Sequence, residues 1–114
     1  IGKMLSPLRE NNVLILGSGN VVHNLGLMDF SVSGGFEWAV KFDDFINKKI
    51  RQADYEALFN YRSEGENARL SVPTTEHLYP LFHILGAAGK TDKVMEFNSK
   101  FMAGSLSMTS YLFF

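Results

Sequence analysis

With 114 residues, 46% of them hydrophobic and 20% charged, the chain has room for one globular domain but not for two of ordinary size. Eleven basic residues against twelve acidic ones leave a net charge of −1, so no concentrated positive field exists to attract nucleic acid or an anionic membrane surface. There is no cysteine, which rules out a disulfide framework and a thiolate metal site, and no apolar run approaches the ~18 residues of a membrane-crossing helix.

In chain order, residues 1–12 carry Met4, Leu5 and Leu8 on one side and read as a helix that Pro7 disturbs unless it lies in the first turn. The opening on Ile1-Gly2-Lys3-Met4, without an initiator, reads as a cut through a larger protein or a processing product. Val13-Leu14-Ile15-Leu16 is a continuous apolar run stopped by Gly17-Ser18-Gly19-Asn20. Without polar alternation it predicts a strand buried on both faces, as in the parallel sheet of an α/β fold. Residues 24–35, with Gly26, Gly34 and Gly35, predict a loop. From Phe36 to Ala53, Ala39, Phe42, Ile46 and Ile50 recur at helical spacing on one stripe with charges opposite. There Lys48, Lys49 and Arg51 sit beside Asp43, Asp44 and Asp54, which describes a solvated helix face.

A short helix follows over Asp54–Tyr61 with Asp54 as N-cap, and the polar stretch Ser63–Ser71 reads as loop. Pro73-Thr74-Thr75-Glu76 then announces a helix that Thr74 would cap, with Leu78, Leu81, Phe82 and Leu85 on its apolar face and Gly86–Gly89 at its end. Val94–Phe97 and Ser105–Phe114 have partial alternation and predict two strands of one sheet. The apolar close Tyr111-Leu112-Phe113-Phe114 suits a buried strand. No repeat, linker or low-complexity stretch divides the chain. The expectation is one α/β unit over residues 1–114 with a central, mostly buried sheet flanked by helices. Neither a secretory cleavage pattern nor an Asn-x-Ser/Thr acceptor is found in these residues, and a cytoplasmic protein is expected.

Three apparent motifs fail on inspection. Gly86-Ala87-Ala88-Gly89-Lys90-Thr91 ends like a phosphate-binding loop, but the position of the first glycine is Ile84, and a helix precedes it where a strand is required. Gly17-Ser18-Gly19 follows a strand, yet Val22 stands where the third glycine of a dinucleotide fingerprint belongs. Ser18 also lacks the second glycine of a nucleophile elbow.

The histidines at 23, 77 and 83 remain. His23 lies just past the C-terminal end of the predicted buried strand, the edge at which ligands collect in open α/β sheets. A lone loop histidine is ordinarily a surface or packing residue, so its position only raises the question. His77 is expected in the first turn of its helix, where the positive end of the dipole favours a neutral ring, the state that a metal requires. Glu76, its neighbour, would point roughly 100° away on that helix. A catalytic metal uses about three protein ligands, so one histidine makes no site. His83 falls off the face of His77 and reads as helix packing or surface.

Longer segments carry more than spacing. Leu8-Arg9-Glu10-Asn11-Asn12-Val13-Leu14-Ile15-Leu16-Gly17-Ser18-Gly19-Asn20-Val21-Val22-His23-Asn24-Leu25 resembles the strand-to-active-site segment of the 4,5-DOPA branch of class III extradiol dioxygenases. Pro73-Thr74-Thr75-Glu76-His77-Leu78-Tyr79-Pro80-Leu81 is similar to that family's second C-terminal motif, and Gly104-Ser105-Leu106-Ser107-Met108 to its closing strand. Trp38-Ala39-Val40-Lys41-Phe42-Asp43 fits the helix between them.

The resemblance implies the C-terminal half of an α/β catalytic domain that opens the ring of a catechol with O2. It implies His23 as the acid–base catalyst and His77 as a metal ligand, with two further histidine ligands in an N-terminal half absent from these residues. The implied metal is Fe(II), with Zn(II) in some relatives; zinc has no redox chemistry and would not support oxidation. A chain lacking half of its domain is expected to be inactive alone, and to self-associate or pair with that half through exposed apolar surface. The competing reading is a small α/β binding or interaction module that has lost the metal chemistry.

Overall fold

The computed structural model describes all residues, Ile1–Phe114. Its helices are α1 (Gly2–Glu10), α2 (Glu37–Arg51), α3 (Tyr55–Phe59), α4 (Glu66–Ser71) and α5 (Tyr79–Ala87), and its strands β1 (Val94–Phe97), β2 (Phe101–Met102), β3 (Leu106–Ser107) and β4 (Ser110–Phe113). Single 3-10 turns cover Leu25–Leu27 and Tyr61–Glu64. No helix is long and apolar enough to cross a membrane.

The helix α2 organises the core. Its stripe of Ala39, Phe42, Ile46 and Ile50 is buried as the spacing predicts, and it packs against α3, α4, β1 and β3. Glu37 opens the helix and Lys48, Lys49 and Arg51 close it, each sign at the favourable end of the dipole. The basic cluster is a solvated face, where Lys49 pairs with Asp54 at 2.6 Å and Arg51 with Glu96 at 2.5 Å. Asp54 caps α3 as expected, accepting from the Ala57 N–H at 3.2 Å. On the other side of the molecule α1 lies against α5. The crossing is a backbone contact: a Cβ on Gly86 would lie 2.8 Å from the Gly2 Cα. Arg9 closes this pair, reaching the Ala87 carbonyl at 3.2 Å and the Asp92 carboxylate at 2.6 Å.

The strands differ from expectation. β1 and β4 do pair antiparallel, from Val94 opposite Phe113 to Phe97 opposite Ser110. The closing stretch is broken, however, because β3 pairs with β2 in a separate small hairpin. A central, mostly buried sheet is not present: the structure holds two sheets of two strands each. Val13–Leu16 is not a buried strand here. It is unpaired, the backbone groups of residues 14–19 form no hydrogen bonds, and Leu14 and Leu16 are 74% and 84% exposed. The composition predicts burial on both faces, but a strand exists only beside a neighbour, and no other segment of the chain takes that place.

Two helical boundaries also shift. Ser63–Ser71, expected as loop, contains α4, entered through Gly65 at φ 62° and held inward by Ala68 and Ser71. An exposed Glu66–Arg69 pair at 2.5 Å stitches its outer side, so the polarity belongs to a solvated helix face. The helix announced at Pro73 starts only at Tyr79, with Pro80 in its first turn, where a missing N–H costs nothing. Thr74 does not cap it; its hydroxyl contacts the Glu76 carboxylate at 2.7 Å.

Beneath the hairpin, the carboxylate of Asp43 on α2 is 4% exposed and surrounded by donors. Ser107 Oγ donates to it at 2.5 Å, Thr109 Oγ1 at 3.1 Å and Asn47 Nδ2 at 3.1 Å. The Tyr111 hydroxyl donates in turn to the Asn47 carbonyl oxygen. Burial raises the Asp43 carboxyl above its ordinary value, against the lowering effect of these hydrogen bonds. Burial and the nearby negative charges of Asp43 and Glu96 likewise raise the Tyr111 phenol. The network joins α2 to β3 and β4 at their closest point.

Asp43→Ala strands three buried donors and is expected to cost about 3 kcal/mol, with Asp43→Asn near ~1 kcal/mol, in urea unfolding. A raised folded-state pKa means that the folded protein holds this proton longer. The stability associated with Asp43 is therefore greatest below the ordinary carboxyl value and declines as the pH rises through the window above it. The penalty of Asp43→Asn should accordingly be larger in mild acid than near neutrality; an equal penalty at both contradicts the assignment. Gly86→Ala, which forces α1 and α5 apart, should cost about 1–3 kcal/mol by the same measurement.

Candidate functional site

The site is built where two loops meet. The first runs from Gly17 to Asn24. At Gly19 the backbone passes so close to the turn before α5 that a Cβ would lie 2.1 Å from the His77 carbonyl oxygen, so only glycine fits. The next N–H, that of Asn20, donates to that same carbonyl at 2.8 Å, and the Asn20 side-chain amide donates to the Ser107 carbonyl at 2.7 Å. Val21 and Val22 then enter the core, 4% and 0% exposed, and the Ser107 N–H bonds to the Val22 carbonyl at 3.0 Å.

His23 follows, anchored on both sides. Its N–H donates to the Ser71 carbonyl at 2.9 Å, and it forms a single antiparallel bridge with Leu106. The Asn24 amide donates to the Leu70 carbonyl at 2.7 Å, and Ser105 Oγ donates to the Asn24 carbonyl at 2.7 Å.

The second loop is the turn of residues 75–78. The Leu78 and Tyr79 N–H groups both donate to the Thr75 carbonyl, at 3.1 and 3.0 Å, while the Leu78 side chain is buried at 1% exposure. This turn presents His77 to His23. Their rings stack, with centroids 3.5 Å apart and planes inclined by 16°. The two imidazoles singled out in the sequence therefore converge. His83 does not join them; its Nδ1 lies 2.9 Å from the Tyr79 carbonyl oxygen within α5.

Electrostatics disfavour a charge on the His23 ring. Burial lowers the His23 pKa, and the facing His77 lowers it further, because two imidazolium ions in contact would repel. The backbone of His23 and the Glu76 carboxylate act in the opposite sense. Glu76 departs from expectation. Since His77 sits in a turn and not in a helix, the adjacent carboxylate does not point away: Glu76 Oε1 lies 3.6 Å from His77 Nε2. The Thr74 hydroxyl, followed by the Glu76 N–H, holds that carboxyl below its ordinary range.

Several residues of this framework escape sequence reasoning. Asn20, Ser71, Ser105 and Ser107 are small polar residues whose roles depend on contacts from distant segments. Only Asn20 carries a local signal, as the polar end of a glycine turn. The arrangement offers two stacked imidazoles with a carboxylate at the rim, groups suited to moving a proton and to donating a nitrogen lone pair. It does not complete a metal site, since no group of three or more histidine, aspartate or glutamate side chains within the chain is placed to hold a metal ion. The two imidazoles have the donor chemistry for a share of a ligand set.

The sequence and the structure both match known proteins. Over 114 residues the chain is 37% identical to a 4,5-DOPA dioxygenase extradiol of Mirabilis jalapa, covering 99% of this chain and 43% of that protein. The 4,5-DOPA dioxygenase extradiol of Escherichia coli strain K12 is 32% identical, over 96% of this chain and 42% of its own length. A crystal structure of an uncharacterized protein from Escherichia coli K12 superimposes with a TM-score of 0.83 at 32% identity, covering 96% of this chain and 46% of the other. The chain thus spans less than half the length of these relatives, consistent with the C-terminal half of a class III extradiol dioxygenase. Residues 1–114 match the family model described as the catalytic LigB subunit of aromatic ring-opening dioxygenase, and the chain belongs to that family.

Proposed function

We propose that residues 1–114 are the C-terminal part of one extradiol dioxygenase catalytic domain, and that the whole protein opens the ring of a catechol such as DOPA with O2. The stacked pair of His23 and His77 carries this reading. Two imidazoles from separate loops meet 3.5 Å apart at the end of the glycine turn, where an α/β sheet gathers its chemistry. The similarity to 4,5-DOPA dioxygenases supplies the substrate class.

In this reading His77 is a metal ligand. His23, uncharged at neutral pH, accepts a proton from a catechol hydroxyl and returns one as the ring opens. When bound, a non-haem Fe(II) would supply open coordination positions for the two catechol oxygens and O2; Zn(II) in the same place would supply binding without redox change. Glu76 lies at the rim of the pair, where its charge favours a proton on His23. Two further histidines from the rest of the domain would complete the ligand set. The protein is taken to act in the cytoplasm, since nothing in the chain calls for an oxidising compartment.

The unpaired segment 14–19 bears on the same proposal. It lies beside a groove lined by Leu14, Leu16, Ile84, Tyr111 and Phe113, and its N–H and C=O groups are free to form a ladder. Strands from the remainder of the domain would pair there and generate the central buried sheet, covering Leu14 and Leu16. The fragment alone is therefore inactive in this reading. Expressed alone, it should self-associate in light scattering, and co-expression with the rest of the domain should suppress that; a monodisperse monomer at all concentrations contradicts the proposed docking.

Metal content and turnover of the full-length protein test the chemistry. His77→Ala should lose stoichiometric iron or zinc. His23→Ala should retain metal and lose catechol turnover by about 10²–10⁴-fold. Unchanged turnover in His23→Ala sinks the acid–base assignment, and a full-length protein that binds no metal favours a binding module on the same fold.

A further inference from the structure

We infer that Asn20 is a positioning residue, the clip that holds His77 against His23. The spacing of the two rings is set by backbone contact and not by the rings themselves, because stacked imidazoles hold each other only weakly. That contact is made by Asn20. Its N–H holds the carbonyl of His77 at 2.8 Å, fixing the turn that carries the second ring. Its side-chain amide holds the carbonyl of Ser107 at 2.7 Å, fixing the loop that carries the first.

Two independent features show that this clip is built in. Gly19 allows the approach, since any side chain there would collide with the His77 carbonyl oxygen at 2.1 Å. Ser107, the far anchor, is itself fully buried, with Oγ bound to the Asp43 carboxylate at 2.5 Å. A chain of polar contacts therefore runs from the core of α2 through Ser107 and Asn20 to the backbone of His77. Asn24 anchors the other side of His23 to Leu70 and Ser105 but makes no recorded contact with the turn of His77. Asn20 alone bonds to both sides of the pair. Removing its amide leaves the glycine turn tied to β3 only further along, through the Val22 carbonyl and the His23–Leu106 bridge, so the N–H that holds His77 loses its direct anchor.

The test in the full-length protein rests on the metal role proposed for His77, and its arms separate the two ideas. Metal-stripped protein is titrated with Co(II) and followed by its visible absorption bands. Asn20→Ala should weaken Co(II) binding by about 10- to 100-fold, the usual effect of losing a partner that orients a ligand, and should alter the band shape. Asp54→Ala, which removes the cap of α3 and the Lys49 pair and has no link to the clip, serves as a control for lost stability and should bind Co(II) like the parent. Parental affinity and spectrum in Asn20→Ala overturn the inference, as does an equal loss in Asp54→Ala.

If His77→Ala leaves Co(II) binding untouched, the metal role fails, and Asn20 is then judged by geometry. A crystal structure of Asn20→Ala with the rings separated supports the clip. One with the rings still stacked overturns it.

Discussion

The carbonyl oxygen of His77 is the point on which the geometry of the site turns. It accepts a hydrogen bond from the Asn20 N–H and occupies the space that a side chain at position 19 would need. A backbone contact of this kind is stiffer than a contact between side chains, because it moves only when two segments of main chain move. The two imidazoles inherit that stiffness: each belongs to a loop, yet the loops are tied to each other and the first is tied to the buried β3. A loop site normally gains reach at the expense of precision. Here hydrogen bonds between main-chain groups restore precision without placing either histidine on a regular element.

The same turn ends a segment of the opposite character. Residues 14–19 are extended, apolar at Leu14, Ile15 and Leu16, and free of hydrogen bonds, although they run directly into the best-anchored part of the molecule. Exposed leucines beside unpaired backbone are an unstable combination in water, since both the apolar surface and the ladder groups gain from a neighbouring strand. A well-anchored pair of loops and an unpaired extended segment are therefore joined at Gly17. That arrangement accords with relatives of more than twice the length.

What could be read from the sequence follows from how local each signal is. The stripe of Ala39, Phe42, Ile46 and Ile50 encodes α2 within a few turns, and the Asp54 cap and the Val94–Phe97 strand are similarly local. The run Val13–Leu16 is legible as a strand by composition, but whether it pairs depends on residues that are not its neighbours in sequence. α4 was hidden because its exposed side is polar and its entry passes through Gly65; a helix of six residues leaves too short a pattern to distinguish from loop. The site was legible in part. His23 and His77 could be named, whereas Asn20, Ser71 and Ser107 are ordinary small residues until the fold brings 71 and 107 beside 23 and 20.

The misplaced start of α5 has a chemical consequence. Pro73-Thr74-Thr75-Glu76 has the composition of a helix N-terminus, and on a helix Glu76 and His77 would diverge. Pro80 decides against it: the ring lacks an N–H and restricts the residue before it, so it is comfortable only in a first turn, and the helix must begin beside it. Residues 75–78 become a tight turn instead, which brings the carboxylate of Glu76 round to the imidazole of His77. Thr74 engages that carboxylate and favours its ionised form, so a negative charge stands at the rim of the pair. Burial and the facing His77 disfavour a proton on His23 and Glu76 favours one, with burial the largest influence, so the turn sets a carboxylate against the effect of the core.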